Sequence, residues 1–270
     1  MIQRLSRNHF ARKAACLGCL FLLMPVSVFA ADDWTFLVSP YLWFAGAKGD
    51  LSAISGAPPT TIDVSPNDAL SGTEASSMLM LEASRRGHGV LVDWFYSDVL
   101  QEHQSYSASG LDWKASVQET LVTVSYTYEL YREPHILIDA IGGLRYWKVG
   151  STVTFESSTG SPRDSDVHNP DSWVDPVVGV KAKVRWADSR FYLACFLGAG
   201  AGGGADKFYD LTANIGYQVT DNLVAAIGYR LFDVDYDHNA FAYDVKQQGW
   251  MVGMVWILGT NKLALSDHSR

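Results

Sequence analysis

Two spacings and two looser groups of residues along the chain match chemistries that proteins perform, and each demands a particular setting. Gly198-Ala199-Gly200-Ala201-Gly202-Gly203 satisfies G-x-G-x-x-G, the backbone cradle of a dinucleotide pyrophosphate. That cradle needs a helix directly afterwards to aim its N-terminus at the phosphates. Asp233-Val234-Asp235-Tyr236-Asp237, with Asp244 further on, imitates the start and end of a calcium loop. Such a loop needs glycine for its turn and a bidentate glutamate at its end, where this chain has His238 and Asp244. The segment 156–172 collects Asp164, Asp166, His168 and Asp171 without a fixed spacing, as a polar loop does. A hydrolytic site would be drawn from His103, His168 and His238 with Asp98, Asp235 and Asp237, because a hydroxyl nucleophile needs a base within reach. None of these lies in a recognisable catalytic motif.

The elements that would hold these residues decide against the first two chemistries. After Gly203 comes KFYDLTANIGYQV at 207–219, where Asp210, Thr212, Asn214, Gly216 and Gln218 alternate with Tyr209, Leu211, Ala213, Ile215, Tyr217 and Val219. A period of two is a strand with two unlike faces, not a phosphate-binding helix. The glycines before it read as a connection between strands. About 10 residues cross a bilayer as a tilted strand, and aromatic ends suit its two interfaces.

The same grammar recurs at 34–47, 77–86, 89–100, 113–130, 135–155, 173–186, 190–202, 222–235 and 241–258. The fold predicted is all-β, a single ten-stranded antiparallel transmembrane β-barrel, with eight strands the next count. Tight connections at Gly87-His88, 131–134, 187–189 and Thr220-Asp221 alternate with long ones at 48–76, 101–112 and 156–172. Short periplasmic turns opposite long outer loops are the asymmetry of an outer-membrane barrel. Within the first long connection, Ser65-Pro66-Asn67-Asp68-Ala69-Leu70-Ser71-Gly72 carries a helix start and stop, and 60–64 before it has strand character.

Parity sorts the faces. In 173–186 the odd positions carry Asp175, Lys181, Lys183 and Arg185, and the even ones Val174, Val178, Val180, Val184 and Trp186. The polar faces elsewhere are mostly Thr, Ser, Asn and Gly, which suits a crowded lumen rather than the Lys- and Glu-dense exterior of a soluble sandwich. The inward set is Glu82, Asp93, Glu119, Glu129, Asp139, Asp175 and Asp210 against Arg145, Lys181, Lys183, Arg185 and Arg230. Near balance predicts cross-lumen ion pairs in a lumen filled by side chains, where a selective pore would carry one sign.

The ends and the composition bound the partners. Residues 1–30 read as a signal peptide: Arg4, Arg7, Arg12 and Lys13, an apolar run from Ala14 to Val26, and Val28-Phe29-Ala30 for cleavage. Cys16 and Cys19 leave with it, so Cys195 remains alone and no internal disulfide can form. The formal net charge is −8, and removing the basic leader makes the remainder more acidic, which argues against a nucleic-acid partner. The barrel is predicted over 31–258 and a polar C-terminal tail over 259–270, with no cofactor and no metal.

Several stretches carry a family likeness: Ser39-Pro40-Tyr41-Leu42-Trp43, Leu81-Glu82-Ala83 with Arg85-Arg86, Gly142-Gly143-Leu144-Arg145-Tyr146-Trp147, Asp171-Ser172-Trp173-Val174-Asp175-Pro176-Val177-Val178-Gly179, and Gly228-Tyr229-Arg230 with Asp233-Val234-Asp235-Tyr236. On these the chain resembles the small, mostly uncharacterised bacterial outer-membrane β-barrel proteins. The resemblance implies fold and location, not a reaction. Gly253, Trp256 and Leu258 are similar to the glycine, aromatic and terminal hydrophobe of a barrel-assembly signal, although twelve residues follow Leu258. The implied partners are outer-membrane lipid, lipopolysaccharide and the barrel-assembly machinery. The expected role is structural or a surface interaction through the outer loops; a narrow porin-like channel for small solutes and a rim-sited hydrolase are the alternatives.

Overall fold

All ten predicted segments form strands in a computed structural model of the chain, which describes residues 33–52, 60–103, 111–157, 167–238 and 241–259. The predicted leader and nearly all of the predicted tail lie outside these residues. In chain order the elements are β1 (Thr35–Ser52), β2 (Thr60–Val64), α1 (Pro66–Gly72), β3 (Thr73–Arg85), β4 (His88–His103), β5 (Leu111–Glu133), β6 (Ile136–Ser157), β7 (Val167–Arg185), β8 (Phe191–Gly200), β9 (Lys207–Thr220), β10 (Leu223–His238) and β11 (Phe241–Gly259). The sheet runs from β11 through β10 and onward to β3, β1 and β2, and β11 pairs back onto β1, so ten long antiparallel strands close a barrel. Closure removes the unpaired edges that an open sheet would present.

The tight turns follow local chemistry. The first is Arg86-Gly87 rather than Gly87-His88, since His88 already pairs with Arg85. Both central residues take positive φ, 51° and 81°, as a two-residue hairpin turn requires. The first turn thus falls one residue earlier than expected and the second later, with Ile136 pairing Glu133 across Pro134-His135.

At the other end β5 runs further than the sequence implies, to 23 residues, while β8 spans only 10 and stops at Gly200, short of the expected 202, which leaves an uneven rim. The expected loop 156–172 is shorter, because β6 continues to Ser157 and β7 begins at Val167.

The short strand β2 extends the wall there. β1 pairs with β3 over Thr35–Pro40 and with β2 over Ala47–Leu51, and α1 packs against β1 and β4 where the two ladders separate. Ser65 caps α1, its hydroxyl accepting from the Asp68 N–H at 3.2 Å, and Pro66 starts the helix.

Parity holds around the barrel, but its chemistry changes along it. Over most of each strand the exterior is apolar: Val124, Leu144, Val178, Leu211, Ile215 and Ile227 are each exposed. Toward the long-loop end the sense reverses. There β10 turns Phe232, Val234 and Tyr236 inward, all buried, and leaves Asp233 and Asp235 outside, while β11 buries Tyr243 and Val245 between exposed Asp244 and Lys246. The upper barrel is therefore built like a soluble protein, with an aromatic core of Trp43, Phe95, Trp147, Trp173, Phe208 and Phe232.

Candidate functional site

The interior holds the chain's densest set of polar side chains, arranged in three levels. At the middle, β6, β9 and β10 bring two guanidiniums onto one carboxylate. Arg145 Nη2 donates to Asp210 Oδ2 at 2.7 Å, and Arg230 donates to both oxygens of Asp210 at 2.9 and 2.7 Å. Asp210 has no exposed surface and Arg145 only 1%.

Each guanidinium has a second partner. Arg145 Nε donates to Thr123 Oγ1 at 2.8 Å. Arg230 reaches Asp93 at 3.5 Å, and the Tyr41 hydroxyl donates to that same Asp93 at 2.9 Å. Hydrogen-bonded pairing of this kind is what a charge removed from water needs. The cluster ties β1, β4, β5, β6, β9 and β10 across the lumen. Gln247 adds a further bridge, donating to Glu119 from β11 to β5 at 2.6 Å.

Above this level the rings close in. Phe208, Phe232 and Trp147 lie 4.9, 5.4 and 5.8 Å from the Arg145 guanidinium carbon, and Trp43 lies 5.1 Å from that of Arg230. Trp147 is wholly buried and stacks on Trp173, which in turn stacks on Tyr236 with ring centroids 3.8 Å apart. Faces of this type hold desolvated cations.

Asp175 takes a different role from the one its charge suggests. Its carboxylate accepts from Trp173 Nε1 at 2.9 Å and from the backbone N–H groups of Gly204 and Ala205 at 2.7 and 2.9 Å. The β8–β9 connection is thereby drawn down onto the interior. A Cβ at Gly204 would stand 2.5 Å from the Trp173 side chain, so the glycine run serves close packing. No helix follows it.

At the short-turn end Lys181 bridges Glu82 on β3 and Asp139 on β6, the latter at 3.3 Å. Lys183 sits 4.2 Å from the centre of the Tyr192 ring, and Arg185 donates to the Ser189 carbonyl at 3.1 Å. Glu129 pairs with Arg132 near the turn and does not join the lumen cluster. All twelve charged positions selected from the sequence lie on the inward parity, yet only Asp93, Arg145, Asp210 and Arg230 form the central knot. Tyr41, Gln247 and Trp173 also join these networks, and a selection made by charge passes over them because all three are neutral.

The remaining candidates separate. Asp233, Asp235 and Asp244 lie on the exterior of a two-stranded ladder, with Asp235 opposite Asp244, and not in a loop that could wrap an ion. Partial burial, then the charges of Asp235, Asp233 and Asp50, raise the Asp244 carboxyl above its ordinary value. Among the described residues no group of three His, Cys, Asp or Glu is placed to hold a metal. Asp171 accepts from the Tyr236 hydroxyl at 2.9 Å, whereas Asp164 and Asp166 and the side chains of His103, His168 and His238 lie outside the described residues. Cys195 is the free thiol of β8 and points to the exterior. In β11, Gly253 is inward and Trp256 and Leu258 are outward. Among the described residues the interior contains no His, and no nucleophile–base pair forms there.

No family model matches the chain, and no curated protein does. Solved structures do. The outer membrane protease OmpT from Escherichia coli superposes with a TM-score of 0.50 at 11% identity, over 84% of this chain and 97% of that one. A major outer membrane protein from Thermus thermophilus gives 0.40 at 11% identity over 83% and 99%. Ail, the attachment invasion locus protein of Yersinia pestis, gives 0.35 at 11% over 84% and 99%. The likeness is one of fold: a closed ten-stranded antiparallel barrel of the outer-membrane type.

Proposed function

We propose that this chain is a bacterial outer-membrane barrel, exported by its leader and closed by its own side chains, that acts structurally or by contact through its long outer loops. The observation that carries the proposal is the shared Asp210. One buried carboxylate accepts hydrogen bonds from arginines on two strands, Asp93 supplies the second negative charge beside Arg230, and an aromatic layer lies over the same cluster. A conducting path would need water and a wall biased to one sign. The lumen instead spends its charges on one another.

The apolar exterior band supports the membrane location. Its height falls below the polar upper extension, so the long-loop end stands out from the bilayer as outer-membrane barrels do. The first long connection adds β2 and α1 to that end, giving a folded surface rather than a bare rim. Planar-bilayer recording tests the closure. The wild-type protein should give no steady single-channel current, and Arg145→Ala with Arg230→Ala should open one. A steady wild-type channel would overturn it.

A further inference from the structure

We propose that the outer wall between β1 and β11 binds a phosphorylated lipid of the outer leaflet. Four outward-facing rows cross β10, β11 and β1 in register. The first is Tyr229, Trp250 and Phe44; the next is Leu231, Gln248 and Gly46; the third is Asp233, Lys246 and Lys48; the last is Asp235, Asp244 and Asp50. Trp250 is 61% exposed and meets Tyr229 edge to face, with centroids 5.6 Å apart. An exposed aromatic pair on a barrel wall belongs at the boundary between acyl chains and headgroups.

The lysine row lies four residues further along the strand. At about 3.4 Å per residue and a tilt near 40°, that is roughly 10 Å higher, in the headgroup layer.

Lys48 and Lys246 are direct cross-strand partners. Like charges placed opposite each other are unfavourable without a counter-charge between them. Asp63 meets Lys48 at 3.0 Å from one side, and Asp233 faces Lys246 in register from the other. Both lysines, with Asp63, line a groove of about 520 Å³ that also takes in Trp250 and Tyr229, with Gly46 and Pro66 on its β1 side. A Cβ at Gly46 would stand 2.7 Å from the Val64 carbonyl oxygen, so the glycine lets the junction of β2 and α1 pack onto β1 and close that side of the groove.

The chemistry of the groove is graded, with Lys48, Lys246 and the Asp63 partner of Lys48 at the top and aromatic carbon below. A lipid with a phosphate on its headgroup matches both ends. The outermost row is acidic and would repel a long polyanion, so a single phosphate at the lysine height is favoured over an acidic polymer.

Native mass spectrometry of the full chain in detergent tests this, with diphosphorylated lipid A as the probe. The wild type should retain the lipid and lose it when both phosphates are removed. Lys48→Gln with Lys246→Gln should weaken retention about 25-fold, near fivefold per lysine, whereas Lys148→Gln on the opposite wall should change nothing. Millimolar inorganic phosphate should not displace the lipid. Equal retention of dephosphorylated lipid, equal retention by the double variant, or displacement by inorganic phosphate would each overturn the site. Channel recordings are indifferent to all three outcomes, so failure here and failure of the closed lumen are distinguishable.

Discussion

Neutralising Asp210 should strand Arg145 and weaken the pairing of Arg230, and the cost can be apportioned from the contacts. In Asp210→Asn, Arg230 keeps Asp93 at 3.5 Å and the Tyr41 hydroxyl at 3.3 Å. Arg145 keeps the Thr123 hydroxyl and ring faces. Removing one partner of a buried ion pair costs about 3–5 kcal/mol, and we expect about 4 kcal/mol here, most of it at Arg145. Arg145→Met alone leaves Asp210 with its two hydrogen bonds from Arg230, and should cost about 2 kcal/mol. The double variant has no stranded charge and should also lie about 2–3 kcal/mol below wild type. The coupling is then about 3 kcal/mol, far from additive. Urea unfolding in lipid vesicles, followed by tryptophan fluorescence, measures all four corners of the cycle. Losses that add to within about 0.5 kcal/mol would refute the reasoning, because they would mean that water, not Asp210, solvates these guanidiniums.

On β9, Ile215→Arg should cost roughly 2–4 kcal/mol of insertion free energy at a lipid-facing position, whereas Asn214→Arg on the inward face should assemble nearly as well as wild type; folded fractions from gel mobility in vesicles decide it. Trp147→Ala removes a wholly buried ring and should cost about 3–5 kcal/mol in the same urea assay. Protease added to intact cells should cut the first long connection but only slowly across α1, a helix so short that it persists only while packed; cleavage at Arg86-Gly87 instead would show the barrel drawn upside down.

The strands were legible because period-two alternation survives from 34–47 to 241–258 and because the turn signals fall between apolar runs. Ser65 and Pro66 announced α1 for the same reason: capping is local chemistry. The change of sense near the long-loop end was harder. Phe232-Asp233-Val234-Asp235-Tyr236 alternates as regularly as the membrane segments, and hydropathy alone would turn its apolar set to the lipid; only the even parity carried on from Arg230 puts it indoors. The inward charges were visible as a set, but their partners come from strands far apart in sequence, 65 residues for Arg145 and Asp210. Asp175 shows the limit of counting charges. Its partners are two backbone N–H groups and an indole, which no charge balance contains.

The reversal of sense along the wall also gives the barrel a direction of travel. Hairpin tips bearing Asp50, Asp235, Asp244, Lys48 and Lys246 must cross the hydrocarbon before their inward rings can meet one another. Once Trp147, Phe208 and Phe232 have condensed on the far side, retreat would drag exposed charges back through lipid and dissolve that core together. The upper barrel thus works as a ratchet: passage is costly once, and the structure formed afterwards bars the way back. Slow release from the membrane, governed by an unfolding rate rather than by an equilibrium, follows from that geometry.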